Sequence, residues 1–132
     1  MKTAKVSLAL VLLILMVGCA SQSWQAKGTA VYTAAGDTIK AADRAFQDLK
    51  IAGLVTNEQA LQYNDIYKKV YDGYWLAGDG WKLAMRAGSD IEQKKYLEAF
   101  NTNFSLFQKF AGDLIVLVNG ILAKEGAKEV LK

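Results

Sequence analysis

From Tyr32 onward, apolar residues recur three and four positions apart, in three separate runs. The first is Tyr32, Ala35, Ile39, Ala42, Phe46 and Leu49; the second is Ala60, Tyr63, Tyr67, Val70, Tyr74, Ala77, Trp81 and Ala84. The third is Leu97, Phe100, Phe104, Phe107, Ala111, Leu114, Val118 and Ile121. At 3.6 residues per turn each run lines one side of a helix and leaves the polar residues on the other. The absence of proline lets such helices run long. The spacing predicts helices near 29–51, 57–87 and 90–124, the third about 50 Å long. Connections this short make neighbours antiparallel, so the pattern predicts an all-α, up-down-up three-helix bundle.

Punctuation falls in the gaps. Gly53 follows the first stripe, and Thr56-Asn57-Glu58-Gln59 has the form of a capping box opening the second helix. Gly88 is expected to close that helix, Ser89-Asp90-Ile91-Glu92 to cap the third, and Gly126 to end it, leaving a short tail with Val130 and Leu131. One signal conflicts with this reading. Asp72-Gly73 and Asp79-Gly80 are turn dipeptides, and with Gly78 they mark a break of the second helix near Gly78–Gly80 that would give four helices. The apolar stripe keeps its phase through both sites. Since each interior glycine costs only about 1 kcal/mol, continuity is the better reading, with the glycines serving close packing.

Ahead of the bundle the pattern changes. Lys2 and Lys5 precede a thirteen-residue apolar run from Val6 to Gly18, and the chain turns polar at Ser21. A charged start, a short apolar stretch and small residues at its exit make a secretory signal. A spanning helix needs about 20 apolar residues, and this run falls short. The single cysteine, Cys19, stands at the exit, and Met16-Val17-Gly18-Cys19 resembles the lipobox of bacterial lipoproteins. The resemblance covers only this segment, and Met16 stands where leucine is commonest. It implies cleavage before Cys19, lipidation of its thiol and acylation of the new amino group by a chain such as palmitate. Two or three acyl chains anchor a protein stably where one does not. Ala20, rather than aspartate, follows the cysteine, which resembles lipoproteins sent to the outer membrane. The expected organisation is a signal peptide at 1–18, a lipidated N-terminus and linker at 19–28, and a bundle at 29–132. The expected place is the periplasmic side of the cell envelope.

This changes the meaning of the charge. The formal net charge of +3 includes Lys2 and Lys5; without them 14 positive side chains face 13 negative ones. No basic surface for nucleic acid follows. Histidine is absent, and the one thiol is assigned to lipid. Cys/His zinc sites, haem attachment and imidazole-activated nucleophiles therefore drop out. Paired carboxylates would need a cleft to tune them, which a slim bundle offers poorly. No catalytic residues, metal or other cofactors are expected.

The second helix is rich in rings. Tyr63, Tyr67, Tyr74 and Trp81 fall on the core stripe, with hydroxyls reaching outward. Trp75 does not: it shares a row with Asp65, Lys68, Asp72, Asp79, Lys82 and Arg86, so it is expected to face water, with Tyr71 one turn away. That charged row is a solvated face on which Asp65–Lys69 and Lys68–Asp72 are expected to pair. The segment 114–122 is apolar nearly all round, which calls for burial by the chain itself, its tail, another protein or the membrane. Trp24 suits either a lipid–water boundary or a staple on the first helix.

Two functions from different classes fit. The first is a membrane-tethered, non-enzymatic interaction or structural module contacting another envelope protein or a second copy through Tyr71, Trp75 and Ile115. The second is a carrier of an apolar ligand or cell-wall fragment, lined by Tyr63, Tyr67, Tyr74, Phe100, Phe104 and Phe107.

Overall fold

The computed structural model describes residues 23–130, which form three helices: α1 (Trp24–Ile51), α2 (Asn57–Arg86) and α3 (Asp90–Val130). They make an all-α, antiparallel three-helix bundle, with no strand among the described residues. The expected signal segment, Cys19 and Leu131 lie outside the described residues.

Helix ends follow local chemistry. α1 begins five residues earlier than expected, because Ser23 caps it: its hydroxyl accepts from the Ala26 amide at 3.3 Å. Gly28 therefore sits inside α1 rather than in a linker. At the other end Gly53 takes φ +75°, and the amides of Leu54 and Gly53 reach the carbonyls of Leu49 and Lys50, both at 3.0 Å. That pairing satisfies two orphan carbonyls and turns the chain sharply. The capping box at α2 is complete, with Gln59 amide on Thr56 Oγ1 at 3.1 Å and Thr56 amide on Gln59 Oε1 at 2.8 Å. Ser89 Oγ accepts from the Glu92 amide at 3.3 Å to open α3.

α2 is unbroken through Gly73, Gly78 and Gly80. α3 passes through Gly126 to Val130, 41 residues in all, so the expected end at Gly126 is replaced by a continuing helix. A glycine that is not forced to reverse the chain carries only its propensity cost. By length and composition α3 would qualify as a membrane span, but a core helix meets the same criterion.

The core is the three stripes brought together. Phe46 and Leu49 of α1, Tyr63, Val70, Ala77 and Trp81 of α2, and Phe100, Phe104, Phe107, Leu114, Val118 and Ile121 of α3 form one cluster. Tyr63, Phe46, Leu114 and Val70 are its largest fully buried side chains. α2 and α3 approach most closely, because their contact row is small. A Cβ on Gly80 would lie 3.2 Å from the Phe100 amide nitrogen, and one on Gly73 3.4 Å from the Phe107 Cα. From Gly73 to Gly80 is seven residues forward, and from Phe107 to Phe100 seven back, so the antiparallel register holds without drift.

Candidate functional site

α1 joins α2 through rings. Tyr32 and Tyr74 stack nearly parallel, with centroids 4.1 Å apart. The Tyr32 hydroxyl donates to the Tyr74 carbonyl at 2.8 Å, and the Tyr74 hydroxyl to the Tyr32 carbonyl at 3.2 Å. Each ring ends over a glycine one turn beyond the other tyrosine: Tyr74 over Gly36 and Tyr32 over Gly78. A methyl group at either glycine would occupy the hydroxyl's place, so Tyr-x3-Gly on both helices makes a local two-fold clasp. Trp81 lies over Gly28 in the same way and donates from Nε1 to Thr29 Oγ1 at 3.1 Å. Phe46 stacks on Tyr63 with centroids 3.6 Å apart, and the Tyr63 hydroxyl donates to Asp43 Oδ1. Gln47 Nε2 donates to the same oxygen at 3.3 Å.

From Tyr63 the rings climb out of the core along α2. Tyr67 follows at 5.6 Å, Tyr71 at 6.5 Å and Trp75 at 6.0 Å, each measured centroid to centroid from the ring before. Tyr63 is buried, Tyr67 half-buried, Tyr71 53% exposed and Trp75 48% exposed. Trp75 also meets the edge of Tyr74 at 6.1 Å. The ladder thus ends in an exposed pair of rings resting on a packed base.

Burial sets the ionisation of these phenols. Desolvation pushes Tyr32, Tyr63, Tyr67 and Tyr74 above their ordinary value of 10.0. The Asp43 carboxylate adds to this at Tyr63 and Tyr67 and the Tyr74 phenol at Tyr32, while the bond from Tyr32 partly offsets it at Tyr74. All four are neutral phenols at neutral pH, and Tyr32, Tyr63 and Tyr74 use the retained proton as donors.

Among the other sequence-selected residues, Ile115 requires correction. It is 4% exposed, because it stands four residues after Ala111 and three before Val118, on the core side of α3. The exposed apolar residue of that segment is Val116, so 114–122 is covered on most sides but not on every one. Of the two expected ion pairs, Asp65–Lys69 forms at 3.3 Å and Lys68–Asp72 does not. An acid four residues before a base is the favourable order against the helix dipole. Lys69 also lies 5.6 Å from the centroid of Phe110 on α3.

The six residues expected to line a ligand site largely touch one another. Tyr74 meets Phe107 at 5.4 Å, Phe107 meets Phe104 at 5.5 Å, and Phe104 meets Phe100 at 5.3 Å. Asp43, Thr29, Gly28 and Gly36 were not visible as functional partners in the stripe pattern. The repeated Tyr-x3-Gly, Tyr32 to Gly36 and Tyr74 to Gly78, is the signal that would have revealed the clasp. Among the described residues no group of three or more acidic or thiol side chains is disposed to hold a metal ion.

No protein-family model, curated protein or solved structure matches this chain. The functional reading therefore rests on its own residues.

Proposed function

We propose that this chain is a lipid-anchored envelope protein whose bundle is a non-enzymatic interaction module, presenting the Tyr71–Trp75 face to another envelope protein. The observation that carries the interaction is the exposed end of the ring ladder. Two large rings stand half in water on a helix whose other aromatic rings are packed against neighbours. Rings held this way lose little freedom on docking and supply much of an interface's energy. The charged row around them, with Lys68, Asp72 and Asp79 exposed, suits the polar rim of such a contact.

The anchor rests on Cys19 and the lipobox resemblance, with Ala20 favouring the outer membrane. α1 begins only five residues after Cys19, which at about 3.6 Å per residue keeps the bundle within roughly 18 Å of the lipid. The carrier reading has less support, since its lining rings stack on one another.

The test combines acyl labelling in cells with cross-linking and capture of the tagged protein. Palmitate label should appear on the wild type and vanish in Cys19→Ala. One dominant envelope protein should cross-link to the wild type and be lost in Trp75→Ala, with thermal unfolding unchanged. Identical capture by the two proteins would overturn the assigned face, and label persisting in Cys19→Ala would overturn the anchor.

A further inference from the structure

The end of the bundle that holds the first turn of α1 forms a second surface. α1 starts there, α2 finishes there and α3 starts there, joined across residues 87–89. Since Gly28 faces Trp81 and the helices are antiparallel, Trp24, one turn before Gly28, is level with Met85, one turn after Trp81. Trp24 packs edge-on against Trp81 with centroids 5.5 Å apart, yet remains 39% exposed. Met85 and Ile91 are also exposed at this end.

The two ends of the bundle differ in charge. Residues 24–30 and 80–95 carry Lys27, Lys82, Arg86, Lys94 and Lys95 against only Asp90 and Glu92. The opposite end, residues 45–62 and 118–124, carries Lys50 and Lys124 against Asp48 and Glu58. The near end is therefore basic and the far end balanced. A second feature points the same way. α2 has Glu58 in its first turn and α3 has Asp90 and Glu92, but α1 has no carboxylate there and carries Lys27 instead. The positive end of the α1 dipole is thus left without an anion from its own first turn.

We infer that this end is a lipid-docking face, on which Trp24 inserts at the headgroup boundary while the cations meet anionic headgroups. The inference rests on the anchored reading above, since the chain preceding Trp24 is what brings this end to the membrane. An exposed indole beside cations suits that boundary: the ring prefers the headgroup level, and basic residues are drawn to an anionic leaflet. Docking would fix the bundle upright on its anchor, with the Tyr71–Trp75 face turned sideways along the membrane. Trp75 lies about ten residues, or roughly 15 Å, further up α2 than Met85.

The test uses the protein purified from membranes and returned to vesicles of phosphatidylcholine and phosphatidylglycerol, with or without bromine on the acyl chains. Intact mass first establishes the acyl groups. Brominated vesicles should quench tryptophan emission, and Trp24→Phe should lose about half of that quenching or more, while Trp75→Phe retains it. In phosphatidylcholine alone, or in Lys94→Glu/Lys95→Glu, quenching should fall, because each cation near an anionic surface shifts docking about fivefold. Equal emission from brominated and plain vesicles, in acylated protein, would overturn the docking face and leave the anchor standing. A purified protein without acyl groups would overturn the anchor and the docking face together.

Discussion

Between α2 and α3 the backbones come close because Gly73 and Gly80 present nothing to hold them apart. Between α1 and α2 rings fill the space, and few backbone positions approach. The first seam is stabilised by area: Phe100 and Phe107 are buried where Gly80 and Gly73 let the helices meet, and Leu114 and Val118 are buried further along α3. The second adds direction. Four hydroxyl or indole donors, on Tyr32, Tyr63, Tyr74 and Trp81, cross it to named acceptors. A seam of apolar area alone tolerates sliding, whereas donors aimed at single oxygens fix one register. The α2–α3 pair is thus the platform, and α1, which leads to Cys19, is clasped onto it in a defined position.

The largest effect should come from the platform. Phe107→Ala removes a ring that is 2% exposed and packed on both Phe104 and Tyr74. It should cost about 3–5 kcal/mol in urea unfolding and destabilise all three helices together. Loss of α1 alone would show that the platform had been wrongly assigned.

Alkali should act on the other seam. The raised values of Tyr32, Tyr63, Tyr67 and Tyr74 mean that folding favours the neutral phenols. Their contribution is complete below the unfolded value near 10 and is lost as pH rises toward the folded values. Stability should therefore fall above pH ~10, and amide exchange should quicken first in α1. Tyr63→Phe should reduce that fall. An identical alkaline profile in this variant would remove Tyr63 from the account.

Single methyl groups compare the clasped seam with an open helix surface most finely. Gly28→Ala, placed under the Trp81 ring, should destabilise by about 1–3 kcal/mol through overpacking. Gly120→Ala, where nothing lies within 4 Å, should stabilise by up to about 1 kcal/mol through helix propensity. If Gly28→Ala were neutral or stabilising, the clasp would have no steric basis.

The three stripes and the first capping box were legible because each depends on residues close in sequence. The extent of α1 was not: Gly28 reads as a linker residue until Trp81, more than fifty positions away, is seen to cover it. Ile115 was misplaced for a related reason. In a segment apolar on all sides, composition no longer distinguishes inside from outside, and only the phase with Ala111 and Val118 does. Trp75 stood out as soon as its row proved charged, since a polar row gives an aromatic ring nowhere to hide.

The most direct test of the tethered module is a photo-cross-linking residue placed at Tyr71 in whole cells, with the same residue at exposed Val116 on α3 as comparison. One dominant envelope-protein product is expected from position 71, none from position 116, and loss of that product when Cys19 is changed to Ala. Equal products from both positions, or a product from position 71 that persists without Cys19, would contradict the tethered module.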